Sequence, residues 1–445
     1  MPAAPSSLLA LLLFGAACSD EAVDSGELPV RTVEIAVAPS EYVANVALVT
    51  WHTDEPSLAT VTATAADGET WTRSVEAAAE DHEVALIGLP EGVEVEITVV
   101  GESESARYVS EASAFSVPWA WSSLSGLTVE EGAPGYRLTT AITSGSDATI
   151  PNVLILDERG RIVWAVATPR RALSTSAKLS LDGRTVYIVA GGDLLTVGLA
   201  GDRYEEHALT GLHHDLAPMP DGAVLVIDKV ATTHEGESVT CDRVLRIEDD
   251  GTSTVVWDAY PQLDTLPESS GEAVDGVREL THGNSIRYDE ATGDALLSLA
   301  RMRSLVRFSV ASGENRWVLG PYGGPQPAAP EDVLLQHQVM FTADGVALFA
   351  NYAKDYACSE IFDYATEDAG AHFHVSRRYQ PEECMESAAL GGLDDAGEGR
   401  RVIAWSTAGV IDVIDADDQR VSRISAPLGI GFGYVDWTDS LYPME

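Results

Sequence analysis

The chain has 445 residues, of which 27 are Lys or Arg and 70 are Asp or Glu, a formal net charge of −43. That surplus of carboxylates excludes a nucleic-acid-binding body, because phosphate recognition needs basic patches. Apolar residues make up 45%, which excludes global disorder, and the length suggests two or three domains.

Leu8 to Phe14 (LLALLLF) is a short apolar run, followed by Gly15-Ala16-Ala17-Cys18. This segment resembles a bacterial lipoprotein signal. The resemblance implies lipidation of Cys18 and an exported, membrane-anchored product, periplasmic or at the cell surface. The alternative is an ordinary cleaved signal with Cys18 incidental. Residues 1–18 are read as the signal segment and 19–30 as an acidic linker. No later apolar run approaches the ~20 residues that span a bilayer. Export implies an oxidising compartment, where disulfides persist. Cys358 and Cys384 lie in adjoining segments and form the pair to expect; the alternative is three separate thiols with Cys241. No CxxC or Cys/His zinc spacing occurs.

From Arg31 to Pro118, apolar and polar residues alternate in short runs such as Val33-Glu34-Ile35-Ala36-Val37. Turns stand between them at Glu55-Pro56 and Asp67-Gly68. This predicts a β-sandwich over 31–118. Val49-Thr50-Trp51-His52, with His82-Glu83-Val84-Ala85-Leu86 downstream, resembles fibronectin type III domains, which implies that Trp51 packs in the core. His52 and His82 are expected at the surface.

Residues 119–445 are read as a second unit. A strand, a turn and a further strand recur about six times. Val153-Leu154-Ile155-Leu156 leads to Ile162-Val163-Trp164, and Val186-Tyr187-Ile188-Val189 to Leu194-Leu195. Further repeats start at Val224, Leu296, Val346 and Val402. The predicted fold is all-β: a sandwich followed by a six-bladed β-propeller.

Three polar segments stand just before propeller strands: Leu212-His213-His214-Asp215, Thr281-His282-Gly283-Asn284 and Gln336-His337-Gln338. His214, His282 and His337 each precede a turn residue, Asp221, Asp289 and Asp344, by seven positions. Core positions in that phase prefer apolar groups, so the repeat is expected to bring three His to one height around the axis. His213 is the alternative to His214. Adjacent strand residues point apart, so one of the two is expected to face the site. Arg301 has Arg303 as its alternative. His207, His234, His372 and His374 are expected on the surface or in loops; His372 and His374 also have the spacing of paired metal ligands.

Together these segments resemble the bacterial arylsulfotransferases, periplasmic enzymes independent of nucleotide donors. The resemblance runs from about Pro134 to the C-terminus, through Gly160-Arg161-Ile162-Val163-Trp164, the three His segments, Arg301, Phe432-Gly433-Tyr434 and Ser440-Leu441-Tyr442-Pro443. It implies that His337 is a nucleophile that accepts a sulfuryl group and passes it to a second phenol. It implies that Arg301, His282, His214 and Asn284 donate to the sulfuryl oxygens. His214 or His282 is also implied as carrier of the phenol proton. The small-molecule partners implied are an aryl sulfate donor and a phenol acceptor, with no cofactor; no GxxxxGK[ST] loop occurs.

Two other classes compete. One is a membrane-anchored, non-catalytic propeller that binds at its channel mouth. The other is a metal- or quinone-dependent propeller enzyme, which needs carboxylates along the axis. Most acidic pairs here, such as Asp249-Asp250, Asp394-Asp395 and Asp417-Asp418, read as solvated turns or weak calcium sites.

Overall fold

A computed structural model describes residues 28–43, 45–118, 126–143, 152–168, 174–209, 211–320, 333–353, 358–366, 370 and 372–442. The signal segment with Cys18, and most of the acidic linker, lie outside the described residues. No helix among the described residues is long and apolar enough to cross a membrane.

Seven strands between Val30 and Ser116 form the first unit. From Ala47 to Ala65 every second residue except Glu55 is buried, the pattern of a strand with one face on a core. The pairing with Thr70–Leu86 shifts register on both sides of Ser57. Trp51, Val61, Ile97 and Tyr108 share one core. His82 corrects the expectation of a surface position. Its ring stacks on Trp51 with centroids 4.5 Å apart, and its Nε2 is 3.2 Å from Ser57 Oγ. Burial pushes its pKa down. His52 is exposed, its Nδ1 2.8 Å from Asp81.

Six blades follow, as the repeat count predicts. Their inner strands are Ile430–Thr438 (blade 1), Ser174–Leu179 (blade 2), Leu212–Pro218 (blade 3), Gly283–Asp289 (blade 4), Val333–Thr342 (blade 5) and Gly392–Asp395 (blade 6). Second and third strands such as Val153–Leu156, Asp294–Leu299 and Val410–Ile414 are buried at every position. Both faces of each blade are covered by neighbours, so these strands read as continuous apolar runs. The ring closes twice. The C-terminal strand Ile430–Thr438 pairs with Tyr136–Thr143 as the inner strand of blade 1, and Thr128–Glu130 adds an outer strand to blade 6.

A buried ionic strut crosses the channel. Lys178 Nζ on blade 2 is 3.3 Å from Asp436 on blade 1, and Arg287 on blade 4 is 3.3 Å from Asp394 on blade 6. Arg287 also donates to the carbonyls of Val339 and Leu393, both at 3.2 Å. Asp394 is therefore not a solvated turn residue. Its strand lines the channel, and burial pushes its carboxyl up against the opposing pull of Arg287.

His207 and His234 are half-buried at strand ends, and His372 and His374 are exposed. Among the described residues no three His, Cys, Asp or Glu side chains converge as metal ligands.

Candidate active site

Three inner strands begin irregularly. Pairing jumps from Leu212 to Leu216 in blade 3, from Gly283 to Ser285 in blade 4, and from Gln336 to Val339 in blade 5. His214 and His282 have left-handed backbone, with φ of 60° and 54°. That conformation costs a non-glycine residue about 1–3 kcal/mol unless its surroundings hold it, and it concentrates at functional sites. Such irregularities re-aim side chains. His213, His214, His282 and His337 all line one cavity of about 790 Å³. The His214 ring centroid is 4.8 Å from that of His282 and 6.3 Å from that of His337. The expectation that only one of His213 and His214 faces the site is therefore corrected: left-handed His214 breaks the alternation and both line the cavity.

Polar residues beside the histidines tie the strand starts together. Asp215 is fully buried and accepts from Ser176 Oγ at 2.7 Å, Ser285 Oγ at 2.9 Å and Ile286 N at 3.1 Å, joining blades 2, 3 and 4. Gln338 accepts from Leu393 N at 2.7 Å, joining blades 5 and 6. Asn284 is also fully buried. Its Nδ2 donates to the Gln336 carbonyl at 2.6 Å, and its own carbonyl accepts from Tyr434 Oη. The structure thus spends the Asn284 amide on the backbone beside His337, instead of aiming it into the cavity.

His337 is buried, and its Nδ1 is hydrogen-bonded to Asn351 Oδ1. Asn351 Nδ2 donates to the carbonyls of Ser387 at 2.7 Å and Leu390 at 2.5 Å. With its NH2 so engaged, the amide presents oxygen to His337. The proton then sits on Nδ1 and the lone pair on Nε2. Burial pushes the His337 pKa down to about 4, helped by charge at His282 and opposed by Asn351. The carbonyls holding Asn351 belong to a loop pinned by the Cys358–Cys384 disulfide (Cα–Cα 5.2 Å) and by Ser359 N donating to Met385 O at 2.7 Å. The expected disulfide is present. Cys241 is a buried free thiol, pushed up to about 12 by burial.

His282 Nδ1 is 2.8 Å from Glu279 Oε2, and Glu279 Oε1 accepts from Lys229 Nζ at 2.5 Å. Burial opposes ionisation of Glu279, but His282 and Lys229 outweigh it and hold the carboxyl well below the usual range. His213 links two groups: its Nε2 is 2.9 Å from Asp242 Oδ1 and its Nδ1 is 2.7 Å from His214 Nδ1. Arg301 and Arg303 both line the cavity; the Arg301 side chain is 47% exposed and its Nε is 3.5 Å from Glu279. Ile142, Val189, Leu335 and Leu390 supply an apolar wall. The cavity therefore brings a buried imidazole together with guanidinium and imidazole groups able to donate, beside an apolar wall.

The structure brings the three His and Arg301 named from the sequence to one cavity, and adds partners that the sequence did not indicate. Asp242, Glu279 and Lys229 come from the second and third strands of blade 3 and the segment after it, outside the repeated segments. Asn351 lies at the end of the apolar run Val346-Ala347-Leu348-Phe349-Ala350, on the strand antiparallel to that of His337. Its polar amide at the end of an apolar run was the available signal.

The arylsulfotransferase family model matches residues 132–367, just over half of the chain, and that span holds His213, His214, His282, Arg301, His337 and Asn351. No curated protein matches the sequence. Solved structures resemble it at low identity. A protein of unknown function from Bacteroides caccae has a TM-score of 0.44 at 13% identity, covering 68% of this chain and 99% of its own. A streptogramin B lyase has a TM-score of 0.40 at 13% identity, covering 72% of this chain and 100% of its own.

Proposed function

The chain belongs to the arylsulfotransferase family, and we propose that it moves a sulfuryl group from a phenolic sulfate ester to a phenol, without a nucleotide donor, through a sulfohistidine at His337. The observation that carries this reading is the commitment of His337 Nδ1 to Asn351, which leaves Nε2 as a buried, neutral nucleophile. Nε2 attacks sulfur, the S–O bond breaks, and the aryl oxide leaves with the electron pair. A phenol oxygen then attacks sulfur and returns the pair to Nε2. Arg301 and His282 line the same cavity as His337 and would donate to the sulfuryl oxygens as their charge grows. The test is exposure to a chromogenic aryl sulfate without acceptor, then acid-free digestion and mass spectrometry. The peptide containing His337 is expected to carry the sulfuryl group. Modification of a different residue overturns the assignment.

We further propose that the product is exported and anchored at a membrane through lipidated Cys18, with the sandwich between anchor and propeller. The disulfide supports an oxidising compartment. Labelled palmitate is expected in the full chain and absent from its Cys18→Ser variant; equal labelling or none in both sinks the anchor.

A further inference from the structure

We propose that His213 and Asp242 are a proton relay behind His214, which gives a proton to the departing aryl oxide and takes one from the incoming phenol. The proposal rests on the sulfuryl-transfer reading of the same cavity.

Two imidazole Nδ1 atoms 2.7 Å apart must share one proton, because two lone pairs at that distance repel. On the far side of His213, Nε2 meets Asp242 Oδ1 at 2.9 Å. Asp242 is nearly fully buried on the third strand of blade 3, and its other oxygen accepts from Thr281 Oγ1 at 2.6 Å and Gly283 N at 2.5 Å. Three donors around a buried carboxylate compensate its lost water and keep it ionised. Gly283 is required for this: a Cβ there falls 2.9 Å from Ile227 Cγ2 and 3.3 Å from Asp242 Oδ2.

A cation is accommodated differently along the chain of groups. His214 faces His213, His282, His337 and Lys229, all cationic or able to become so. His213 faces His214 and His282 too, but it contacts Asp242 directly. Asp242 thus gives a proton passed on from His214 a carboxylate to rest against.

In the first half-reaction His213 is an imidazolium, donating Nε2–H to Asp242 and Nδ1–H to His214. His214 gives its Nε2 proton to the aryl oxide as the S–O bond breaks, and takes the His213 Nδ1 proton on its own Nδ1. Asp242 and neutral His213 remain. In the second half-reaction the phenol O–H bond breaks and its proton joins His214 Nε2. The phenol oxygen forms the new O–S bond, and the S–N pair returns to His337 Nε2. The Nδ1 proton of His214 moves back to His213. The relay ends as it began, and no outside acid or base is consumed.

Asp242→Asn removes the charge and keeps the size; His213→Gln is the second variant, should the first fail to fold. Both are compared with the unaltered protein on donors whose phenols span weak to strong acids. A strongly acidic nitrophenol leaves without a proton, and a weakly acidic alkylphenol does not. The expected result is a loss of roughly 100-fold or more for the alkylphenyl sulfate and of less than about 10-fold for the nitrophenyl sulfate. Equal losses on both donors, in variants that keep the native circular dichroism, overturn the relay and make His213 and Asp242 structural. Failure of the unaltered protein to transfer from any donor overturns the sulfuryl-transfer reading instead.

Discussion

Replacing His337 by Ala is expected to abolish phenol-stimulated release from aryl sulfates, by a factor on the order of 10⁴ or more. Two other imidazoles in the cavity are held differently. His282 engages Glu279 through Nδ1, and His213 engages both Asp242 and His214. His337 combines burial with a neutral Asn partner. Added imidazole is expected to restore part of the activity by filling the space, which separates loss of the nucleophile from loss of the fold. Release that survives in the variant moves the nucleophile elsewhere.

The same residue leaves a pH signature. The folded pKa of His337 is depressed to about 4, below the ~6.5 of an unfolded histidine. Its contribution to stability is therefore fully present above about pH 6.5 and is lost as pH falls through the window to about 4. Denaturant unfolding of the unaltered protein and of the His337→Ala variant should diverge in slope with pH across that window. Parallel curves would place the imidazole in water.

The largest expected effect on stability lies in the channel. Lys178→Met should destabilise the propeller by about 3–5 kcal/mol, because it leaves a buried carboxylate without its cation. The Lys178 side chain is 1% exposed and that of Asp436 17%. After the change, Asp436 keeps the Leu179 N–H at 3.1 Å and a distant Arg287 at 4.0 Å, beside a second carboxylate, Asp394. The double variant Lys178→Met with Asp436→Asn is expected to recover most of the loss, since removing both charges of a buried pair is often near neutral. A single-variant loss within about 0.5 kcal/mol in denaturant unfolding, the range of surface changes, would show that water screens the strut.

The sandwich and the blades were legible because hydrophobic periodicity is local. Alternation at Ala47–Ala65 means one covered face, and the unbroken run Val153–Leu156 means two. The seven-residue phase of His214, His282 and His337 against their turns was legible too, since equivalent positions in repeated blades occupy equivalent places. The double closure by Ile430–Thr438 and Thr128–Glu130 was not. Pairing across about 300 residues leaves no periodic trace near either strand. Nor was the surface assignment of His82 sound: an imidazole is amphipathic, and only the neighbouring Trp51 ring puts its face to use.

Residue order alone therefore carried the strand content, the blade count, the three histidines in one phase and the cysteines to be joined. These follow from local patterns, and burial of apolar side chains enforces them strand by strand. Three-dimensional packing assigned the chemistry within that frame. It gave each imidazole a different partner: Asn351 for His337, Glu279 for His282, and His213 with Asp242 for His214. Asn351, Glu279 and Asp242 approach from other strands, and His214 and His282 have left-handed backbone. The proton position on an imidazole depends on what lies within about 3 Å of its two nitrogens, and that neighbourhood exists only once the ring of blades has closed.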